Sequence, residues 1–333
     1  MNLLCSKITQ ETFLDYEFDS FTIHNFSIEN DKSEVKHIKG KTYLFASYAA
    51  YGHSLMDVYA QYKILKLKYP DLKPVFYEDG EKGYRVNPRV ANDLMDILEY
   101  NKDLVINLSD GNYFFDEVVM FFDMNNTFPA KFYLDNGLKR SSHYFPFCYC
   151  YMGTEKCGTS KYFLYNYLAI DILKNDFKHL FSKNNNEKIF VSRERYNNQY
   201  INEIDFFTNK DNLTDQEHQI YSRAKMRYYD KEKYIEEALK EKGYKIIYAE
   251  DHTLKEQIEI FSSASVVSTI SGTSLFNLFW CDPDTVAYEI MAVPGYRYHY
   301  KEFINHSGSK HKYLEIFNMD LNDLLDKIKL EMP

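Results

Sequence analysis

The chain of 333 residues has few cysteines, no excess of basic residues and no long apolar run, and each shortage excludes a class of protein. Its five cysteines are an odd number, so they cannot all pair in a disulfide framework. Lysine and arginine number 40 against 49 acidic residues, and the resulting net charge of −9 argues against nucleic-acid binding. No apolar run approaches the roughly 20 residues of a membrane span. Collagen, coiled-coil, disordered and transmembrane classes are therefore excluded.

The composition is instead that of a folded protein with a large core. Hydrophobic residues make up 45% of the chain and charged residues 27%, and the length suggests two domains. The segment before Lys7 is too short for a signal peptide. We therefore expect a cytoplasmic protein with reduced thiols, acting in solution or in peripheral contact with the inner face of a membrane.

Short apolar runs alternate with patterns of helical period, which is typical of α/β layering. Strands are predicted at residues 42–47, 74–77, 104–108, 117–123, 131–134, 188–192, 245–248, 265–270 and 285–290. Helices are predicted at residues 53–69, 89–100, 161–181, 231–242, 254–262, 274–280 and 321–330. Gly243 marks a helix end, and Thr253 and Asp320 are suited to cap the helices that follow them.

A polar, asparagine-rich stretch at residues 182–186 predicts the boundary between two α/β halves. We expect an N-terminal Rossmann-like domain over residues 1–182 and a second one over 183–315. Residues 316–333 would then form a C-terminal helix that crosses back onto the first domain. Two doubly wound sheets that face one another leave a cleft between the carboxyl ends of their strands, where ligands bind.

A turn of small residues follows the buried-strand pattern of residues 264–270: Ser271, Gly272, Thr273 and Ser274 open the next helix. Backbone N–H groups and the positive end of the helix dipole suit such a turn to an anion, for which a diphosphate is the first candidate. With one glycine, the turn matches neither a P-loop nor the G-x-G-x-x-G dinucleotide fingerprint. A sugar-nucleotide epimerase, which needs such a glycine-rich loop, is therefore disfavoured.

Several short motifs occur in a fixed order across the second half of the chain. They are Ser192-Arg193, Arg227 with Glu232, Gly243-Tyr244, Glu256-Gln257, Gly272-Thr273-Ser274-Leu275 with Asn277, and Glu289. This ordered set resembles the C-terminal half of family 61 glycosyltransferases, which include plant xylosyl- and arabinosyltransferases and animal O-linked N-acetylglucosaminyltransferases. In the first half, YAAYGHSLMD is similar to the histidine-bearing segment of that family and gives His53 and Asp57.

The resemblance has two departures. The family turn usually begins His-Gly-Ala, whereas this chain has Ser271-Gly272-Thr273, and the insertion between Arg195 and Arg227 is longer than usual. These departures concern the donor sugar more than the fold or the nucleotide site.

The resemblance implies a GT-B fold, in which two Rossmann-like domains face a central cleft. The second domain would hold the donor nucleotide and the first the acceptor. The implied reaction is inverting transfer of a sugar from a nucleotide sugar, with a UDP-sugar favoured, to a glycan, polysaccharide or lipid-linked glycan acceptor. It implies no metal and no other cofactor.

Within this scheme Arg193 would stabilise the leaving diphosphate, Arg227 would supply a second positive charge, and the backbone amides of residues 271–274 would complete the phosphate site. An arginine at the carboxyl end of a strand can bind phosphate in a bidentate way. The alternative is a solvated surface arginine in the segment SRERY. Glu289 would accept hydrogen bonds from the ribose hydroxyls, unless it is a capping or surface carboxylate.

His53 is the candidate base, because it follows Gly52 at a strand-to-helix turn and histidine ordinarily titrates at about pH 6.5. Asp57 lies one helical turn further on, where it could orient the ring or act as the base itself. The reserve candidates for the base are Asp123, Asp135 and His143.

Three further alternatives stay open. Asp282-Pro283-Asp284 spells the Asp-x-Asp motif of metal-dependent glycosyltransferases, but it precedes a predicted strand and reads better as a tight turn. A zinc site is conceivable where Cys148, Cys150 and Cys157 lie near His143, although no Cys-x-x-Cys pair is present. Finally, the absence of histidine at Ser271 would suit a nucleotide-sugar- or glycan-binding protein of the same fold that has lost catalysis.

Overall fold

The computed structural model describes residues 2–13, 18–29, 34–46, 55, 59–78, 105–107, 111–121, 160–183, 186–195, 229–292 and 307–333. The chain divides into two compact units, Met1–Asp176 and Phe177–Pro333. The described part of each unit contains a β-sheet and helices, so the α/β class is confirmed. The predicted domain boundaries at residues 182 and 315 stay predictions.

In its described part, the first unit has a sheet of seven strands. These are β1 (Asn2–Leu4), β2 (Lys7–Phe13), β3 (Phe18–Glu29), β4 (Val35–Ala46), β5 (Lys73–Glu78), β6 (Val105–Asn107) and β7 (Asn112–Phe121). The strand order is β1-β3-β7-β4-β5-β6, and β2 also pairs with β3. Strands β7, β4, β5 and β6 pair in parallel with one another, whereas β1, β2 and β7 are antiparallel to β3.

The antiparallel strands differ from the doubly wound parallel sheet that we expected for this unit. The sequence pattern predicts no element before residue 42, because the amino-terminal segment lacks a clean alternation of apolar and polar residues. The structure gives the reason: adjacent residues Thr22 and Ile23 are both buried, and so are Val118 and Val119 on the partner strand. A strand that is buried on both faces does not alternate.

Helices α1 (Gln61–Lys68) and α2 (Ser160–Phe177) belong to this first part of the chain. The hydroxyl of Tyr59 donates to Asp176 at 2.6 Å, and Lys63 lies 2.9 Å from the same carboxylate. These contacts join the two helices. The predicted strand at 131–134 and the predicted helix at 89–100 lie outside the described residues.

Among its described residues, the second unit has a parallel sheet of five strands: β8 (Glu187–Ser192), β9 (Lys245–Tyr248), β10 (Ala264–Ile270), β11 (Val286–Met291) and β12 (Lys310–Glu315). Their spatial order is β9-β8-β10-β11-β12, and every pairing is parallel. In order along the unit this is 2-1-3-4-5, a doubly wound topology. Four of these strands overlap the predicted ones, and β12 was not predicted because three of its six residues, Lys310, Lys312 and Glu315, are charged.

The helices of this unit cover both faces of its sheet. Helices α3 (Glu232–Glu241) and α5 (Leu321–Glu331) pack on one face, in a buried cluster that includes Phe190, Leu239 and Ile328. On the other face lie α4 (Leu254–Ser262) and the 3₁₀ helix Thr273–Trp280. Helix α5 packs on α3 within the second unit, and this contact buries the apolar face of α5. The predicted packing of α5 on the N-terminal domain stays a prediction.

The predicted helix signals agree with the structure. Thr253 caps α4 in a capping box with Glu256, and the Asp320 side chain accepts from the N–H of Asp323. Gly243 follows α3 with a positive φ of 82°, as expected of a helix-ending glycine.

Candidate active site

The candidate site lies at the carboxyl ends of β8 and β10, which are neighbours in the second sheet. Arg193 follows β8 directly, and Ser271 follows β10. From these two strands the chain continues in opposite directions, to β9 on one side and to β11 on the other. The space above β8 and β10 is therefore the topological switch point, where doubly wound sheets bind ligands.

Arg193 reaches across this point to the turn after β10. Its Nη2 donates a hydrogen bond to the carbonyl oxygen of Ser271, at 3.0 Å. The guanidinium also lies against Gly272, where an ideal Cβ would be 2.9 Å from Arg193 Cζ. The backbone of Gly272 is extended, a conformation that any residue can adopt. Glycine is needed here because a side chain would collide with the guanidinium. The structure thus brings together the arginine and the turn that the sequence analysis selected.

The backbone of the turn is partly used by the sheet itself. The Ser271 N–H donates to the carbonyl of Ile290 in β11 at 2.9 Å, so an anion would have to compete with this bond for the amide. Anion binding by the backbone amides stays a prediction, and it now depends mainly on Gly272, Thr273 and Ser274. These residues open a 3₁₀ helix, whose first N–H groups have no partner within the helix.

Two hydroxyl groups tie the turn to both strands. The hydroxyl of Thr269 in β10 donates to the carbonyl of Val191 in β8 at 3.0 Å. The Ser274 hydroxyl lies 2.8 Å from Thr269 Oγ1 and can donate to it. Ser274 therefore anchors the start of the 3₁₀ helix to the edge of the sheet, in addition to any contact with a ligand.

Glu232, the first residue of α3, holds the segment that carries Arg193. Its Oε1 accepts from the Arg193 backbone N–H at 2.7 Å and from the Ser192 hydroxyl at 3.2 Å. Ser192 Oγ in turn accepts from the N–H of Glu194 at 3.0 Å. Residues 192–194 are therefore tied by one buried carboxylate. In the sequence, Glu232 stands out only through the family resemblance. Its position as an acidic residue in the first turn of a helix is the local signal that marks it.

The environment of Glu232 disfavours its charged form. The side chain is only 1% exposed, and this burial raises the pKa of the carboxyl. The hydrogen bond from the Arg193 N–H and the positive charge of Arg193 act in the opposite direction, as does the Ser192 hydroxyl. The nearby Glu236 raises the pKa further.

Arg195, two residues after Arg193, is a surface residue. Its side chain is 59% exposed, its guanidinium stacks on the Tyr248 ring at 3.7 Å, and its Nη1 donates to Asp251 at 2.9 Å. The solvated surface arginine of the segment SRERY is therefore Arg195. Arg193 is half-buried and faces the turn.

Glu289 lies within β11 and not at its end. Its side chain is fully buried, and Oε2 lies 3.0 Å from Nε2 of His311 in β12. Among the described residues, neither Glu289 Oε1 nor His311 Nδ1 has a hydrogen-bond partner. Neither a helix-capping nor a surface role fits this carboxylate, and the sequence analysis did not select His311. Binding of a ribose by Glu289 stays a prediction.

The remaining candidates lie outside the described residues. These are His53, Asp57 and Arg227, the reserve bases Asp123, Asp135 and His143, and the cysteines 148, 150 and 157. Their roles stay predictions. Within the described ranges, no group of three or more histidines, cysteines, aspartates or glutamates is placed to hold a metal ion.

The Asp-x-Asp motif forms the turn that we expected. The N–H of Asp284 donates to Asp282 Oδ1 at 3.0 Å, and the N–H of Thr285 donates to the Asp282 carbonyl at 2.9 Å. This turn precedes β11 and thus lies at the amino end of the strand, opposite the edge that carries Arg193.

Other residues of the resemblance have architectural roles. The Gln257 side chain, in α4, donates to the carbonyls of Ala249 and His252 and accepts from the Asn277 amide at 3.2 Å. Both Gln257 and Asn277 are buried. They hold α4, the turn after β9 and the 3₁₀ helix together.

Doubly wound sheets commonly bind ligands at the switch point, where this chain carries Arg193, and comparison with known proteins extends this description. The family model named Glycosyltransferase 61 matches residues 51–288. This match covers more than two thirds of the chain, and the protein belongs to glycosyltransferase family 61. It is therefore a glycosyltransferase enzyme, which acts on a sugar donor and an acceptor. No curated protein matches the chain significantly.

Helices long and apolar enough to cross a membrane are absent from the described part of the chain. The compartment and any peripheral membrane contact stay predictions.

Proposed function

We propose that the enzyme is an inverting, metal-independent glycosyltransferase of GT-B architecture. It transfers a sugar from a UDP-sugar to a hydroxyl group of a glycan, polysaccharide or lipid-linked glycan. The observation that carries this proposal is the contact of Arg193 with the Ser271–Gly272 turn at the switch point of the second sheet. A half-buried cation beside a helix-opening turn suits the two phosphates of a nucleotide sugar.

In the proposed reaction, the acceptor oxygen bonds to the anomeric carbon while the bond from that carbon to the diphosphate oxygen breaks. The electron pair of the broken bond passes to the diphosphate. Arg193, assisted by Arg227 and by the amides of Gly272, Thr273 and Ser274, stabilises this developing charge. Fixed donors of this kind are often the largest contribution to catalysis. Because the arginines supply the positive charge, the proposed reaction requires no metal.

The proton of the acceptor hydroxyl passes to His53 in this proposal. Asp57, one helical turn further on, orients the imidazole or takes the proton itself. A well-placed base contributes about 10²–10⁴-fold to the rate.

Glu289 binds the ribose of the donor in this proposal. Since Oε2 is engaged by His311, Oε1 is the oxygen that accepts from a ribose hydroxyl. Because Glu289 is fully buried, the ribose would have to displace neighbouring side chains to reach it.

A panel of UDP-, GDP- and CMP-sugars tests the proposal. We expect a UDP-sugar to be hydrolysed slowly without acceptor and to stabilise the protein against heat. A ligand at about 100 times its Kd adds about 2.7 kcal/mol to the free energy of unfolding. Activity that survives chelation with EDTA supports the metal-independent reaction. Absence of stabilisation by every nucleotide sugar would overturn the proposed nucleotide site.

One observation favours a second candidate, a binding protein that has lost turnover. The family resemblance leads us to expect histidine at position 271, where this chain has serine. The Ser271 N–H already donates to the Ile290 carbonyl, and the Ser271 carbonyl accepts from Arg193. Stabilisation by a nucleotide sugar without hydrolysis or transfer would favour this candidate over the enzyme that we propose.

A further inference from the structure

We propose that Glu232 is a positioning residue that fixes Arg193 for a diphosphate ligand. The inference rests on the proposed function in that it takes the diphosphate as the ligand of Arg193. It goes beyond that function by assigning a role to a carboxylate that has no direct contact with the substrate.

The geometry joins Glu232 to the backbone that carries the arginine. One oxygen, Oε1, receives both the Arg193 N–H at 2.7 Å and the Ser192 hydroxyl at 3.2 Å. Ser192 is itself buried, and its oxygen receives the N–H of Glu194. These bonds restrain the backbone on both sides of the Arg193 Cα.

The guanidinium end of Arg193 is restrained separately, by the Ser271 carbonyl and the open face of Gly272. An arginine held at both its backbone and its tip retains few rotamers, so little conformational entropy is lost when it binds a phosphate. Without Glu232 the Arg193 N–H and the Ser192 hydroxyl would lose this shared acceptor, and the end of β8 would be less restrained. We therefore expect Glu232 to act on affinity through Arg193 and not on the ligand directly.

Glu236 provides a matched control on the same helix. It lies one turn beyond Glu232, is also buried, and accepts from the Tyr248 hydroxyl at 2.9 Å. Glu236→Ala therefore removes a buried, hydrogen-bonded carboxylate from α3 without touching the Arg193 segment.

The first measurement is the Kd for UDP by calorimetry, with intact folding checked by circular dichroism. Hydrogen bonds to charged groups are worth enough to expect a loss of about 10- to 100-fold in Glu232→Ala. Glu232→Gln, whose carbonyl can still accept from both donors, should stay within about threefold of the unchanged protein. Glu236→Ala should also bind normally. Unchanged affinity in Glu232→Ala, or an equal loss in Glu232→Gln, would overturn the inference.

A double variant separates positioning from direct binding. If Glu232 acts through Arg193, then adding Glu232→Ala to Arg193→Ala should cause no further loss of UDP affinity. An additional loss as large as that seen in the single variant would overturn the inference.

Hydrogen exchange tests the same contact without any ligand. The Arg193 amide should exchange faster in Glu232→Ala than in Glu236→Ala, because its acceptor is removed. Equal exchange in the two variants would overturn the positioning role. If the unchanged protein binds no UDP, GDP or CDP, the proposed function fails, whereas the exchange result still decides whether Glu232 holds the Arg193 segment.

Discussion

The guanidinium of Arg193 occupies the space in which a side chain at position 272 would lie. An ideal Cβ on Gly272 would be 2.9 Å from Arg193 Cζ, closer than real Cβ contacts allow. The two residues are 79 positions apart in the chain and come together because β8 and β10 are paired in parallel. Arg193 can therefore keep this position only while residue 272 is a glycine.

Gly272→Ala should therefore move the Arg193 guanidinium and weaken UDP binding by about 10-fold, the value of a lost charge-assisted hydrogen bond. Calorimetric titration with UDP measures the effect. The matched control is Gly243→Ala, where φ is 82° and no atom lies within 4 Å of an added Cβ. That variant should lose about 1 kcal/mol of stability through backbone strain and bind UDP normally. Normal UDP binding by Gly272→Ala would contradict the steric argument.

Arg193→Ala should abolish turnover while the protein stays folded, since loss of a fixed donor to the developing charge costs about 10²–10³ in kcat. Initial rates of transfer or of donor hydrolysis give the comparison. Arg195→Ala is the control, because the side chain of Arg195 is exposed and stacks on Tyr248. Retained activity in Arg193→Ala, or equal losses in the two variants, would refute the assignment.

His53→Ala should lower kcat by about 10²–10⁴ if His53 is the base, with little change in the affinity for UDP. Single-turnover rates in the variant and the unchanged protein provide the test. A near-normal rate would move the role to Asp57, and Asp57→Asn should then carry the loss.

His311→Ala should destabilise the second unit, because it leaves the carboxylate of Glu289 buried without its hydrogen-bond donor. Removal of one partner from a buried pair costs about 3 kcal/mol or more. The control is His37→Ala in the first unit: His37 bonds Asp116 at 2.6 Å, but both side chains are about as exposed as ordinary surface residues. Urea unfolding should show a clear loss in the first variant and little change in the second. Equal effects would mean that burial is not the determining factor.

Stability should depend on pH through Glu232. Its pKa in the folded protein is raised above the ordinary value of 4.5, mainly by burial, so the folded state binds the proton more tightly than the unfolded chain does. The contribution of Glu232 to the free energy of unfolding is therefore complete below about pH 4.5, where the carboxyl is protonated in both states. It is lost as the pH rises through the pKa of the folded protein. Glu232→Gln removes this dependence.

Urea unfolding of the unchanged protein and of Glu232→Gln between about pH 4 and pH 8 measures this contribution. The free energy of unfolding of the unchanged protein, minus that of the variant, should fall with rising pH. A difference that rises with pH would show that hydrogen bonds to the carboxylate, and not desolvation, dominate its pKa.

Much of the second unit could be predicted from the sequence. The strand at 245–248 and the helix at 254–262 agree with β9 and α4 residue for residue, since each has a local signature. In α4 that signature is the Thr253–Glu256 capping box, whose partners are three residues apart. The order of strand, small-residue turn and helix at 264–280 was also correct, although the helix is a 3₁₀ helix.

The first unit was predicted less well. Strand β3 lacks an unbroken alternation of buried and exposed residues, because the adjacent residues Thr22 and Ile23 are both buried where it pairs with β7. Such strands are defined by their partners and not by their own period. The same holds for β12, a strand rich in charged residues that forms by pairing with β11.

Local chemistry within a few residues, then, was enough to predict the α/β class, the helix ends around α3, α4 and α5, and the small-residue turn at Ser271–Ser274, whereas Arg193 was selected with the help of the family resemblance. It could not show that Glu232 receives the Arg193 N–H, that Arg193 lies on Gly272 or that His311 bonds Glu289. These partners are separated by between 22 and 79 residues, and strand pairing or the packing of α3 on the sheet brings them together. Sequence spacing carries no record of which strands become neighbours, because that choice minimises the free energy of the whole sheet and its packed helices.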